Sequence, residues 1–222
     1  MKKKTTRKPP TAVLILIVAI ISAVSFAVAW LTIGDEILDR TYKLSNFDAY
    51  AEVYFMDGET KVTPAKDTLG AIVVDVGNAS APNYIGKLKV DAFYKGKGKA
   101  YLRLKVVQQW LNNSGEVIQS NAVLPYTVAA LYAKGVDTGN QAKWFDNRAD
   151  DYCLYYAQPV QGNNSDYQKL PVFTGLDTAE FNATAPLEGG TTTLRLSFEL
   201  QMVQVNRYPQ FWGISELPWL EE

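Results

Sequence analysis

A run of 22 residues without a charge, Ala12 to Ile33, follows a strongly basic start. As a helix rising about 1.5 Å per residue it reaches roughly 33 Å, enough to cross the hydrocarbon core of a bilayer. Lys2, Lys3, Lys4, Arg7 and Lys8 precede it, and Asp35, Glu36, Asp39 and Arg40 follow it. Lys and Arg are retained on the cytoplasmic side. This polarity therefore predicts a basic cytoplasmic segment over 1–10, a transmembrane or signal helix over 11–33, a linker over 34–46 and an extracellular domain over 47–222. Trp30 falls at the outer end, where an indole suits the headgroup zone. Two outcomes stay open. The chain stays anchored in the cell membrane through residues 12–33, single-pass with its N-terminus cytoplasmic. Alternatively it is secreted after cleavage near Ala29, because Ala27-Val28-Ala29 offers small residues at the spacing signal peptidase reads.

Export sets the chemistry that is left. Cys153 is the single cysteine, so an exported domain cannot form an internal disulfide and must rely on its core. That fits a Gram-positive bacterial surface better than a disulfide-rich ectodomain. A content of 47% hydrophobic residues supplies such a core. Net charge is −1 overall and −6 beyond residue 10, which argues against a dedicated nucleic-acid binder.

From Phe47 onward the apolar residues alternate. Phe47, Ala49, Ala51, Val53 and Phe55 share one parity. Gly70–Val76 is a β-branched run, Gly86–Tyr94 alternates, and Ala100–Trp110 sets Leu102, Leu104 and Val106 against Arg103 and Lys105. Thr192–Met202 is the clearest strand, and Asp151–Val160 is an aromatic-rich one. A period of two marks half-buried antiparallel strands. Turn signals such as Asp57-Gly58, Asn113-Ser114-Gly115 and Gly189-Gly190 separate the runs. Lys95-Gly96-Lys97-Gly98-Lys99 reads as a hairpin, and Ala122–Lys134 and Thr178–Asn182 as short helices or turns. The pattern predicts an all-β fold: one antiparallel β-sandwich of seven to nine strands, jelly-roll-like or Greek-key.

With no His in the chain, neither a Ser-His-Asp triad nor a His-based zinc site can be built. Cys153 has no imidazole to activate it and reads as a small buried hydrophobe. Asp146, Asp150 and Asp151 crowd carboxylates into six residues, a density suited to Ca²⁺ though without EF-hand spacing; a solvated acidic turn is the alternative. Five Trp and thirteen Tyr either fill the core or form a sugar-stacking platform, for which Trp110, Trp144 and Trp212 are the candidates. A carboxylate pair for glycoside hydrolysis is marked nowhere.

After the strongest strand the tail reads VQVNRYPQFWGISELPW from Val203. Its rings and prolines predict a chain that wraps back over the sheet and closes one end of the sandwich. The overall plan resembles the TasA/camelysin group of Gram-positive surface proteins. The shared features are a basic start, an export segment ending in Ala27-Val28-Ala29-Trp30, an early strand Phe47–Phe55 and a jelly-roll-like domain ending in an amphipathic strand. The resemblance implies a biofilm-matrix or surface-fibre subunit whose early strand, Phe47–Phe55, completes the sheet of a neighbour. Members have been labelled metalloproteases; without His or an HExxH motif that label does not carry over. The expected function is structural, assembly or adhesion at the cell surface, without enzymatic activity and with self-association or other surface proteins as partners. The alternative is an extracellular carbohydrate-binding module that recognises polysaccharide.

Overall fold

The structure, a computed structural model, describes residues 47–112, 114–118, 120, 122–132, 143–185 and 193–220. The expected membrane segment and linker lie outside these residues. Among the described residues no helix is long and apolar enough to cross a membrane.

Among the described residues eleven strands form two antiparallel sheets. In chain order they are β1 (Asp48–Asp57), β2 (Thr60–Val62), β3 (Ile72–Val74), β4 (Leu88–Lys95), β5 (Ala100–Leu111), β6 (Val117–Ile118), β7 (Tyr126–Val128), β8 (Trp144–Asn147), β9 (Cys153–Tyr156), β10 (Gln168–Leu176) and β11 (Thr193–Gln204). Three short helices accompany them: α1 (Arg148–Asp151), α2 (Thr178–Thr184) and α3 (Tyr208–Trp212). The first sheet runs β2-β1-β4-β10-β7; the second runs β3-β11-β5-β9-β8, with β6 also on β5.

Alternation builds the sandwich. On β5, Ala100, Leu102, Leu104 and Val106 are buried, and on β11 so are Leu194, Leu196, Phe198, Leu200 and Met202. They meet Phe55, Leu88, Val90, Ala92, Val172 and Phe173 of the first sheet in one cluster. Each sheet thus sends one parity inward, as two packed antiparallel sheets require. Pro171 sits in β10 where the pairing with β4 shifts register, the place a residue without an N–H is tolerated inside a sheet.

Several local expectations are corrected. Lys95–Lys99 is no hairpin: β4 and β5 lie in different sheets, so the loop arches across the sandwich. Gly98 serves close approach, since a Cβ there would stand 2.7 Å from the ring of Phe47, and Gly96 takes a positive φ of 143°. Where a short helix or turn was expected over Ala122–Lys134, the described residues form β7, which pairs with β10, followed by a turn at Ala129-Ala130. β10 itself falls where no strand was expected. The helix at Thr178 does form, capped by Asp177, whose Oδ1 accepts from Ala179 N and Glu180 N at 3.0 Å each.

The tail wraps back as expected, but it covers a face and closes no end. Tyr101, Cys153, Tyr155 and Val203 carry the outward parity of the second sheet, and Trp212, Leu217 and Trp219 bury them in a second cluster. Trp219 meets Tyr101 and Tyr155 at 5.7 and 5.8 Å. Residues 208–219 therefore cover part of one outer face of the sandwich, while among the described residues nothing packs over the outer face of the first sheet.

Candidate assembly surface

The bare face is built by β1, β4 and the start of β10. Tyr50 stacks on Phe93 at 5.1 Å with rings 6° from parallel, and Tyr167 meets Tyr50 edge-on at 5.1 Å. Tyr50 and Tyr167 are exposed. Charges surround the rings. Lys61 pairs with Glu52 at 2.5 Å and lies 4.1 Å from the centre of the Tyr54 ring. Tyr167 donates its hydroxyl to Asp48, and Lys95 lies over the Tyr167 ring at 4.4 Å. Asp91 is the buried member: it accepts from Tyr54 and from Lys169, both at 2.8 Å. Burial first, then that bond to Asp91, pushes the Tyr54 hydroxyl up to about 12.

The edge of this face is open. β1 pairs with β4 from Asp48 through Phe55, but β2 reaches β1 only at Phe55–Asp57. Among the described residues nothing pairs with the other side of Asp48–Tyr54. The hydrogen bonds elsewhere reveal which groups are left over. Gly96 bonds Asn163 and Gly162, so the even residues of β4 turn their backbone toward β10 and the odd ones toward β1. Tyr50, Glu52 and Tyr54 stand opposite odd residues and spend their N–H and C=O on β4. Ala49, Ala51 and Val53 aim theirs out of the open edge. Their side chains point into the sandwich and pack on the core, yet stay only partly buried.

Natural sheets blunt such edges with prolines, bulges, inward charges or short strands. β7 and β8, at the far ends of the two sheets, are three and four residues long. β1 is ten residues long, contains no Pro and keeps a continuous register against β4. β10 is open on its β7 side before Phe173, but Pro171 interrupts it there, and β11 is open where β3 stops, since β3 reaches it only at Leu194–Leu196. There, however, Phe198, Leu200 and Met202 are buried. At β1 an incomplete ladder coincides, over a long stretch without proline, with an incompletely covered core.

The other sequence candidates resolve differently. Phe47 is buried against the core at the start of β1, and Phe55 is fully buried beneath it. Trp110, Trp144 and Trp212 are all buried, so they form no ligand platform. Trp110 stacks on Phe181, Trp144 donates to Pro171 O at 3.0 Å, and Trp212 lies under Arg103 at 4.8 Å. Among the described residues the exposed rings are Tyr50, Tyr152, Tyr167 and Phe211; of these Tyr50 and Tyr167 lie together on the first sheet, one on a strand that alternation identifies, the other in a loop that it does not. The calcium cluster does not converge either. Asp146 is held by Arg148 at 2.7 Å, and Asp151 accepts from Cys153 N and Tyr155 OH, while Asp150 stands exposed. Among the described residues no group of three metal-ligating side chains forms.

Asp146 and Arg148 instead line a cleft of about 330 Å³ with Tyr126, Asp177 and Glu180. Two of its carboxylates are engaged, Asp146 by Arg148 and Asp177 by the start of α2. Cys153 is buried beneath the tail, and burial, followed by the Asp151 carboxylate, pushes its thiol up to about 11. A neutral thiol of that kind packs and does not attack. Compared with known proteins, the chain matches no family model, no curated sequence and no solved structure.

Proposed function

We propose that this chain is a bacterial cell-surface protein, exported or membrane-anchored through residues 12–33, whose jelly-roll-like β-sandwich serves a structural and assembly role. The observation that supports the reading is the open edge of β1. Among the described residues the backbone groups of Ala49, Ala51 and Val53 have no partner strand, and such a row is a template for another extended chain. The covered face of the second sheet and the bare face of the first give the domain a direction, with the bare face set beside that edge. The likeness to TasA/camelysin surface proteins points the same way, toward a matrix or fibre subunit that works without catalysis.

A second reading, a carbohydrate-binding module, is favoured by the exposed Tyr50 and Tyr167 ringed by Lys95, Asp48 and Glu52. The two readings separate in one experiment. Ala51→Pro removes an outward-facing N–H and leaves the bonds to β4 in place, because proline is tolerated where a strand faces solvent. On cells carrying tagged protein, added protease degrades the domain in intact cells, and Ala51→Pro abolishes high-mass surface material. A protease-resistant domain in intact cells overturns the surface assignment. Unchanged high-mass material with Ala51→Pro overturns the assembly role and leaves the sugar-binding one.

A further inference from the structure

We infer that the occupant of the open β1 edge is β1 of a second copy of this chain, paired antiparallel about a two-fold axis at Ala51. The inference rests on the assembly reading above and names its first step.

The free stretch defines its own partner. It begins at Asp48, where β1 begins, and ends at Tyr54, because Val62 of β2 already occupies the place beside Phe55. Ala51 is the midpoint of that stretch. An antiparallel copy fills it completely only when midpoint lies over midpoint. Ala49 then faces Val53 of the second copy, Ala51 faces Ala51, and Val53 faces Ala49. All three are hydrogen-bonding pairs, because these are the residues whose N–H and C=O point outward. A two-fold axis perpendicular to the sheet also keeps the inward parity of both copies on the same side. The half-covered Ala49, Ala51 and Val53 side chains thus join into one continuous apolar strip, a closed isologous contact that buries what each copy leaves exposed.

The solvent face selects the same register. With the axis at Ala51, Tyr50 stands opposite Glu52 of the second copy and Asp48 opposite Tyr54. No like charges face one another. Phe93 stacks on the Tyr50 ring and Tyr167 meets it edge-on, and the open edge of β1 lies beside them. There the second copy brings its Glu52–Lys61 ion pair, whose ammonium already lies over the ring of Tyr54 within each copy. Moving the axis to Tyr50 sets Asp48 against Glu52, a like-charge cross-strand pair. An axis at Glu52 opposes Glu52 to itself and drives the second strand into β2.

Cross-linking reads the register. In the full-length chain in detergent micelles, Tyr50→Cys combined with Glu52→Cys places cysteines opposite one another across the two-fold. Such pairs are about 4.5 Å apart at Cα, within disulfide range. Within one copy these residues lie on the same strand and do not meet. Mild oxidation is expected to give a covalent dimer, mapped by mass spectrometry to a bond between residues 50 and 52. Asp48→Cys combined with Glu52→Cys is expected to give none, since those positions stand about 8 Å apart in this register. Buried Cys153 stays out of either bond, and the melting curve of each variant shows that it is folded.

A bond in the 48/52 variant, or a ladder of ever larger species in place of a dimer, overturns the two-fold at Ala51. If no 50/52 bond forms while Ala51→Pro still abolishes surface assembly, the edge pairs with something other than itself and only this inference falls. If Ala51→Pro also has no effect, the assembly reading falls with it.

Discussion

Truncating Trp219 to Ala tests the covering tail and the thiol beneath it together. Trp219 is 6% exposed and packs on both Tyr101 and Tyr155. Removing a buried Trp side chain costs about 3–5 kcal/mol when the surroundings cannot collapse. Here they can respond, because the tail is peripheral and can lift as a unit. The loss is therefore capped by the docking free energy of residues 208–219, and the sandwich core, a separate cluster, stays intact. Cys153 reports the event. Its thiol is pushed from an ordinary 9.0 to about 11, chiefly by burial under the tail. At pH 8 a shift of that size holds the reactive thiolate roughly 100-fold below its exposed level. Iodoacetamide labelling of Trp219→Ala at pH 8 should therefore run faster than in the parent by up to that factor, with the far-UV circular dichroism of the strands preserved. A lower melting temperature with an unchanged labelling rate refutes the claim that the tail shields the thiol.

Two further predictions follow from buried groups. Arg148→Ala leaves buried Leu124 O and the half-buried Asp146 carboxylate without their partner, and thermal melts should show a loss of about 1–3 kcal/mol; an unchanged melting curve contradicts the geometry. The folded state also raises the ionisations of Cys153 and Tyr54, to about 11 and about 12. Each favours its neutral form on folding, so each contribution is complete below the ordinary values of 9.0 and 10.0 and disappears as pH climbs through the folded ones. Burial raises Tyr126 and Tyr155 in the same sense. The urea midpoint should fall steadily above about pH 9, and a midpoint that holds or rises to pH 12 contradicts this.

The two-layer β fold was legible because its main strands alternate cleanly. β1, β4, β5 and β11 all lie where the period of two places them. What alternation cannot carry is partner choice. The Lys95–Lys99 loop has hairpin composition, yet the strands it joins enter different sheets, a choice made by packing across the core and not by the turn. β10 was missed because Pro171 and Gly175 interrupt its pattern, and bulges absorb both. The tryptophans left core and platform open for a related reason, and the structure places them in the core. Sequence shows that a ring is present but not which side of a sheet it faces, and Trp212 is buried only because the tail folds back on itself. Parity within Phe47–Phe55 did identify the inward residues of β1. That their backbone groups also form the open edge follows from β2 being three residues long, which no local pattern announces.

Amide hydrogen exchange along β1 tests the central claim most directly. In dilute, dissociated protein the amides of Tyr50, Glu52 and Tyr54, bonded to β4, should exchange slowly, and those of Ala49, Ala51 and Val53 quickly. In assembled protein all six should be slow. Uniform protection along β1 in the dilute protein, or fast exchange at Ala49, Ala51 and Val53 in both states, would contradict an edge held open for a partner.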